Sequence, residues 1–218
     1  MNPDNPVVRL CAEGMAAEAS GDDDAARALF EQAWAAATDD YEACVAAHYL
    51  ARQQPTPELT LHWNAECLRL ADRVGGESVA GFYASLHANL GRCHRDLGDR
   101  AAAGEHFRLA ARHLADVPAG PYRDWLRYSI ADGLRGTGAL EPSAASAGAE
   151  ALLRDLCARG DLRSLCLLLP AYYGDTGSAG DRRHLAEAAR MLHAERRLPA
   201  SDQQRLGEII GLATSTVD

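Results

Sequence analysis

Residues 87–113, HANLGRCHRDLGDRAAAGEHFRLAARH, contain the pattern that decides the fold. Leu90 and Gly91 stand in the first half, Gly98 interrupts the middle, and alanines flank Phe107 in the second half. Apolar residues recur three and four positions apart on both sides of the interruption, which is the period of an α-helix. The stretch therefore predicts two antiparallel helices joined by a short turn.

The same period runs through almost the whole chain. Valine and isoleucine are scarce, alanine and leucine are abundant, and no segment alternates apolar and polar residues over the length of a strand. Gly, Pro and Asp clusters, such as Gly21-Asp22 and Pro55-Thr56-Pro57, divide the chain into about eleven helices. We therefore predict an all-α protein.

Three of the predicted turns are spaced at a regular interval. Gly21 and Pro55 are 34 residues apart, and Gly98 follows Pro55 by 43, which is one such period plus nine residues. The residues after the first and third turns match in type and spacing: Ala26, Phe30 and Ala33 after Gly21, and Ala103, Phe107 and Ala110 after Gly98. The same steps after Pro55 reach Thr60, Asn64 and Cys67, a weaker match beside Trp63.

A 34-residue unit with Leu-Gly in its first helix and a small–aromatic–small pattern in its second resembles the tetratricopeptide repeat, here of bacterial type. The first unit keeps Gly14 but has Glu13 where the family has leucine. The resemblance implies a right-handed superhelical array of antiparallel helical hairpins, an α-solenoid. It predicts three such hairpins in residues 1–117. Residues 118–218 would continue the array as degenerate hairpins and end in a capping helix over Leu206–Ala213.

The nine extra residues of the third unit lie near 75–83, GGESVAGFY. We expect them to lengthen the first helix of that unit or its entry loop. The degenerate hairpins are predicted in pairs of segments: Tyr122–Arg135 with Ser143–Ala158, and Asp161–Tyr173 with Arg182–Arg196.

Charge and composition argue against several classes of partner. The net charge is −9, from 22 basic and 31 acidic residues, whereas nucleic acids and anionic membranes select basic surfaces. The N-terminus lacks a secretory signal pattern, and no apolar run is long enough to span a membrane. The six cysteines form no CxxC pair, so we expect buried, reduced thiols. We expect a cytoplasmic protein that binds neither nucleic acid nor membrane.

Four histidines, His87, His94, His106 and His113, raise the question of a metal site. The members of each pair on one helix are seven residues apart, about 10 Å along the axis, so they cannot share one zinc ion. We interpret them as packing or surface residues and predict no metal and no cofactor. No catalytic motif is present, and Asp175-Thr176-Gly177 is interpreted as a linker. We therefore expect a protein that is not an enzyme.

The resemblance implies a concave groove lined by the first helix of each hairpin. Carried over by register, the groove positions are Val8, Cys11, Met15 and Glu18, then Glu42, Val45, Tyr49 and Arg52, then Ser85, Ala88, Arg92 and Arg95. Met15 and Tyr49 would give apolar contacts to a protein or peptide ligand. Asn89, Arg52, Arg92 and Arg95 would give polar ones. Some members of the family grip the end of a bound chain with a carboxylate clamp, which needs a lysine and an asparagine at set positions of the first unit. This chain has neither residue at those positions.

Two other roles stay open beside a peptide-binding scaffold. One is a stand-alone regulatory module that senses a peptide. The other is a self-associating structural protein, and therefore a homo-oligomer, held by an aromatic patch of Trp125, Tyr128, Tyr172 and Tyr173.

Overall fold

A computed structural model describes residues 4–215 and confirms an all-α chain. These residues form twelve α-helices and no strand, whereas the sequence predicted about eleven helices. The additional helix is a single turn, Glu77–Ala80, within the nine-residue insertion. The chain divides into two compact units that meet in sequence at Leu126 and Arg127. Residues 1–3 of the predicted segment 1–117 and residues 216–218 of the predicted segment 118–218 lie outside the described residues.

The helices of the first unit begin and end close to the predicted turns. They are α1 (Pro6–Ala19), α2 (Asp23–Ala36), α3 (Asp40–Leu50), α4 (Pro57–Val74), α5 (Glu77–Ala80), α6 (Tyr83–Asp96), α7 (Arg100–His113) and the start of α8 (Pro121–Thr137). The side chains of Asp22, Asp39, Thr56 and Asp99 each accept a hydrogen bond from a backbone amide in the first turn of the helix that follows. These N-caps satisfy amides that the helix itself leaves unpaired, and they fix where the helices start.

The first and third hairpins share one packing arrangement. A Cβ atom added to Gly14 would lie 2.3 Å from the Phe30 ring, and one added to Gly91 would lie 3.0 Å from the Phe107 ring. Both phenylalanine side chains are fully buried, as are the alanines that flank them on α2 and α7. Glycine on one helix therefore makes room for phenylalanine on the other, as the repeat pattern predicted.

In the middle hairpin, a larger residue stands at the glycine position and a smaller one at the phenylalanine position. By the same register, His48 occupies the position of Gly14 and Gly91, and Asn64 occupies that of the two phenylalanines. Asn64 is buried, and its Oδ1 accepts no hydrogen bond from the described residues. The neighbouring Trp63 packs edge-to-face on Trp34 of α2, with ring centroids 4.9 Å apart. The aromatic bulk of this hairpin thus lies one position away from its place in the other two.

In the first unit α1 packs against α2, α2 against α3, α3 against α4, α4 against α6 and α6 against α7, and α1 also contacts α3. The insertion does not extend α6. Gly75 and Gly76 take positive φ angles of 62° and 70°, which end α4 and start the separate turn α5. Val79 of α5 is fully buried in a cluster with Leu70 and Leu86. The insertion therefore forms an anchored entry segment before α6.

The second unit contains α9 (Ala144–Arg159), α10 (Leu162–Tyr173), α11 (Ala179–Ala194) and α12 (Ala200–Thr214), together with the end of α8. Contacts join α9 to α10, α10 to α11, α11 to α12, and α12 back to α9. They enclose one core whose largest side chains are Leu152, Leu156, Leu168, Leu185, Leu192 and Leu206. This closed ring is the contact pattern of a four-helix bundle, and α12 is one of its members.

The loop between α10 and α11 is held by two buried aspartates. Asp181 accepts hydrogen bonds from the backbone and side chain of both Thr176 and Ser178, and its carboxylate lies 2.5 Å from the Arg127 guanidinium. Asp175 accepts hydrogen bonds from Ser146 Oγ and the Gly177 amide. The Asp175-Thr176-Gly177 segment, interpreted from sequence as a linker, is thus a tightly hydrogen-bonded turn.

Candidate functional site

A cavity of about 470 Å³ lies in the first unit and is called the α3–α6 pocket here. Helices α3 and α6 form its two sides, α5 contributes one edge, and the segment from Asp116 to Tyr122 contributes another. The lining residues are Cys44, Val45, His48, Tyr49, Cys67, Glu77, Ser78, Gly81, Phe82, Ser85, Leu86, Asp116, Val117, Pro118 and Tyr122.

Three predicted groove positions meet in this pocket. Val45 and Tyr49 come from α3, and Ser85 comes from α6, so two predicted repeats contribute to one wall. Tyr49 is held in place because its ring stacks on Phe30, with centroids 5.4 Å apart and planes inclined by 20°. Aromatic rings of Phe82 and Tyr122 complete a lining that is mostly apolar. Such a lining with few polar groups is typical of ligand sites.

The nine-residue insertion supplies a wall that the repeat pattern did not predict. Glu77 and Ser78 of α5, and Gly81 and Phe82 after it, all line the pocket. The family register contains no position for these residues, so they were absent from the predicted groove. The 43-residue interval between the second and third turns could have indicated them, because it marks an insertion. Inserted loops on a repeat scaffold often contribute binding residues.

Two carboxylates and a neutral imidazole set the electrostatics of the pocket. Burial lowers the pKa of His48 to about 4, and the positive charges of Arg52 and Arg92 act in the same direction. His48 is therefore uncharged at neutral pH. Glu77 and Asp116 are exposed at the edges of the pocket, and Asp116 lies 3.2 Å from Nδ1 of His113. No arginine lies among the described lining residues.

Three other predicted site residues, Arg52, Asn89 and Arg92, come together around a smaller cavity of about 220 Å³, called the arginine recess here. Arg92 donates a hydrogen bond to Asn89 Oδ1, and its guanidinium lies 5.9 Å from the centre of the Trp125 ring. Arg52 forms an ion pair with Glu18 at 2.7 Å. These three predicted residues thus line one cavity, and the acidic partner of Arg52 was not predicted from the sequence.

Met15 and Arg95 line neither of these cavities. Met15 is exposed on α1. Arg95 is exposed on the last turn of α6, where its Nε lies 3.5 Å from the Asp96 carboxylate. Of the six residues predicted to contact a ligand, the structure therefore brings Tyr49 to the α3–α6 pocket and three others to the arginine recess.

The four histidines of the opening stretch form a cluster across the α6–α7 hairpin. His87 Nδ1 and His106 Nδ1 are 3.1 Å apart, and His94 stacks on His106 with centroids 5.2 Å apart. His113 stacks near His87 at 6.0 Å. Burial lowers the pKa of His87 to about 4, helped by His106 and His113. Among the described residues, no three His, Cys, Asp or Glu side chains are placed to hold one metal ion.

The six cysteines are unpaired, but they are not all buried. Cys11, Cys44, Cys67 and Cys93 are buried in the first unit, whereas Cys157 and Cys166 are exposed on α9 and α10. The prediction of buried thiols was therefore wrong for these last two, because both face away from the closed bundle core. Helical period alone did not reveal which face that core would cover.

The proposed aromatic patch is exposed only in part. Trp125 and Tyr173 are exposed, whereas Tyr128 and Tyr172 are half-buried. Within the second unit, the Arg135 guanidinium lies 5.3 Å from the Tyr172 ring and 5.5 Å from the Tyr173 ring. These tyrosines thus serve local packing.

Comparison with known proteins assigns no relative. No family model matches the chain, and no curated protein matches it either.

None of the described helices is both long and apolar enough to cross a bilayer.

Proposed function

We propose that the first unit is a non-catalytic, tetratricopeptide-like scaffold that binds a peptide, or a segment of another protein, on the face formed by α1, α3 and α6. In this proposal its hairpins stack as a right-handed superhelix, and the protein acts in a bacterial cytoplasm without a cofactor. The glycine–phenylalanine packing shared by the first and third hairpins supports the repeat.

One observation carries the proposal. Tyr49 and Ser85 belong to different predicted repeats, yet both line the α3–α6 pocket. A volume of 470 Å³ lies within the range of about 300–1,000 Å³ that ligand pockets occupy. Rigid aromatic side chains such as Tyr49 supply contact area at a low entropic cost, which makes them effective anchors for a bound chain.

The arginine recess would serve as a second, polar contact for the same ligand. Arg52, Asn89 and Arg92 present N–H donors at its wall. Guanidinium groups bind carboxylates through two parallel hydrogen bonds, and they also donate single hydrogen bonds to carbonyl oxygens. A ligand that fills the pocket and reaches this recess would be held at two points.

Capture from a bacterial lysate with a pocket-blocked variant tests the proposal. Ser78→Trp places a bulky ring at an exposed edge of the pocket, and Gln32→Trp places the same ring on the exposed surface of α2. Proteins retained by the wild type and by Gln32→Trp, but lost with Ser78→Trp, are the expected result. Equal retention by all three chains would contradict binding at this pocket.

Self-association is a second candidate, favoured by the exposed pair of Tyr122 and Trp125. Their rings stack with centroids 5.9 Å apart, and each side chain is more than half exposed. Light scattering of the wild type and of Trp125→Ser separates this candidate from the first. A dimer that dissociates on this substitution would support it, and a wild-type monomer would exclude it.

A further inference from the structure

The charged side chains that line the α3–α6 pocket have one sign, although Arg52 and Arg92 lie near enough to act on His48. Glu77 and Asp116 are the two carboxyl groups of its lining, and His48 is uncharged at neutral pH. The Glu77 side chain has no hydrogen-bond or ion-pair partner among the described residues. A cationic group of a ligand placed at the pocket edge would therefore give the Glu77 carboxylate a charge partner that the described part of the protein does not supply.

The first unit as a whole also carries a net negative charge. Residues 1–126 contain 19 acidic residues and 11 arginines, a net charge of −8 out of the −9 of the entire chain. The chain contains no lysine. A negative surface of this kind attracts cationic partners and raises their rate of encounter.

The interior of the pocket favours an apolar group. Cys44, Cys67 and Leu86 are almost completely buried at its base, whereas Glu77 and Ser78 are exposed at its edge. Val45 and Phe82 add further apolar surface to the lining. A ligand would therefore place its apolar part at the base and its positive charge at the edge.

A second cavity lies beside the pocket and shares one lining residue with it, which favours an extended chain over a compact small molecule. A space of about 200 Å³ lies between the start of α1 and α3, and Val45 lines both cavities. Asp39 and Glu42 line this second space, so it is acidic as well. The hydrogen bonds donated by Thr38 and Asn5 lower the pKa of Glu42, which keeps its carboxylate charged.

We propose that the α3–α6 pocket takes a large apolar side chain of the bound peptide, and that Glu77 and Asp116 hold an arginine or lysine adjacent to it in the peptide. This inference rests on the proposed peptide-binding function and names the chemistry of the partner. The peptide is recognised by an apolar anchor and a neighbouring cation, with further basic residues favoured along the acidic cavity beside α1.

Selection from a random hexapeptide library displayed on phage tests the inference. The library is selected in parallel on the full-length wild type, on Glu77→Gln/Asp116→Asn, and on Glu31→Gln/Glu58→Gln. The last is a matched control, because Glu31 and Glu58 are exposed carboxylates of the same unit and neither of them lines the pocket. We expect the wild type and the control to enrich peptides with arginine or lysine beside a large apolar residue, and the pocket variant to lose that preference.

Binding measurements and cross-linking complete the test. A synthetic wild-type-selected peptide should bind the pocket variant about three- to tenfold more weakly, as expected for the loss of two ion pairs at a pocket edge. Its lysine analogue should be joined by a carbodiimide to Glu77 or Asp116. Because the chain lacks lysine, it offers no competing side-chain amine, and the peptide is acetylated at its N-terminus so that its lysine is its reactive amine.

The outcomes separate this inference from the function on which it rests. If no peptide is enriched on the wild type, the peptide-binding function fails and the inference fails with it. If peptides are enriched but are neutral or acidic, or are the same on the pocket variant, the function stands and the inference is wrong. Cross-links confined to carboxylates outside the pocket would also overturn it.

Discussion

At the scale of single residues, the contact of Gly14 with Phe30 makes the sharpest stability prediction. A methyl group at position 14 would overlap the buried ring at 2.3 Å, whereas one at Gly91 would meet Phe107 at 3.0 Å. We expect Gly14→Ala to lower the free energy of unfolding by about 1–3 kcal/mol through overpacking, and Gly91→Ala to lower it less. Urea denaturation followed by circular dichroism measures both values.

Gly207 provides the control for this comparison. It lies within α12, and a Cβ atom there would meet nothing within 4 Å. Gly207→Ala should therefore stabilise the chain by about 0.5–1 kcal/mol, because alanine loses less conformational freedom on folding. Equal effects at positions 14 and 207 would show that the ring does not occupy the space beside Gly14.

A second prediction at this scale concerns acid sensitivity. The folded state lowers the pKa of His87 from 6.5 to about 4, so it favours the neutral imidazole. The stability that His87 contributes is therefore complete above pH 6.5 and is lost as the pH falls towards 4. The loss is at most about 3 kcal/mol.

Chemical denaturation between pH 7 and pH 4 measures this dependence. His87→Leu should flatten the fall in the free energy of unfolding, whereas His62→Gln, an exposed histidine of the same unit, should leave it unchanged. A wild-type curve that does not fall over this range, or one that His87→Leu leaves unaltered, would show that burial of His87 does not govern it.

The repeat register predicted some of the candidate site and missed the rest for a definable reason. Tyr49, Val45 and Ser85 follow from the register, because they occupy fixed positions on the first helices. Glu77 lies in the insertion, to which the register assigns no position. Asp116 follows the last helix of the third repeat. The position of a carboxylate after a helix does not indicate which cavity that carboxylate will line.

At the scale of elements, α5 is the part on which the pocket wall depends. Its four residues are too few for a helix that is stable alone, so α5 is held by Val79. Val79→Ala should cost about 1–2 kcal/mol at this buried site. Amide hydrogen exchange should become faster across residues 75–83 while α1 and α2 keep their protection. Unchanged exchange there would show that Val79 does not anchor α5.

The turn between α10 and α11 gives a prediction for the second unit. Burial alone would raise the pKa of Asp181, but hydrogen bonds from Thr176 and Ser178, together with Arg127, lower it overall. Asp181→Asn weakens this network and should destabilise the second unit by about 1–3 kcal/mol.

Asp155→Asn is the matched control, since Asp155 forms an exposed ion pair with Arg205. Exposed pairs contribute about 0–1 kcal/mol, so its effect should be small. Thermal unfolding of the two variants compares them directly. A smaller effect at Asp181 than at Asp155 would contradict the structural role of the buried carboxylate.

At the scale of the whole molecule, the helical period predicted the secondary structure throughout but not how the helices associate. It placed most helices of both units within a few residues, because N-caps and glycines mark their ends, but it missed the single turn α5 and started the last helix at Leu206, whereas α12 begins at Ala200. The glycine–phenylalanine pairs that distinguish a repeat stop after α7. In their absence, the apolar faces of α9 to α12 are equally compatible with an open array and with a closed bundle, and the contacts form a closed ring.

The central claim is that a peptide binds between α3 and α6, and NMR of the isotope-labelled full-length chain tests it most directly. The amide signals are followed while a peptide selected on the wild type is added. The largest shifts are predicted at Val45, Phe82 and Ser85, and Ser78→Trp should abolish them. Shifts confined to α9–α12, or shifts that persist in Ser78→Trp, would contradict the claim.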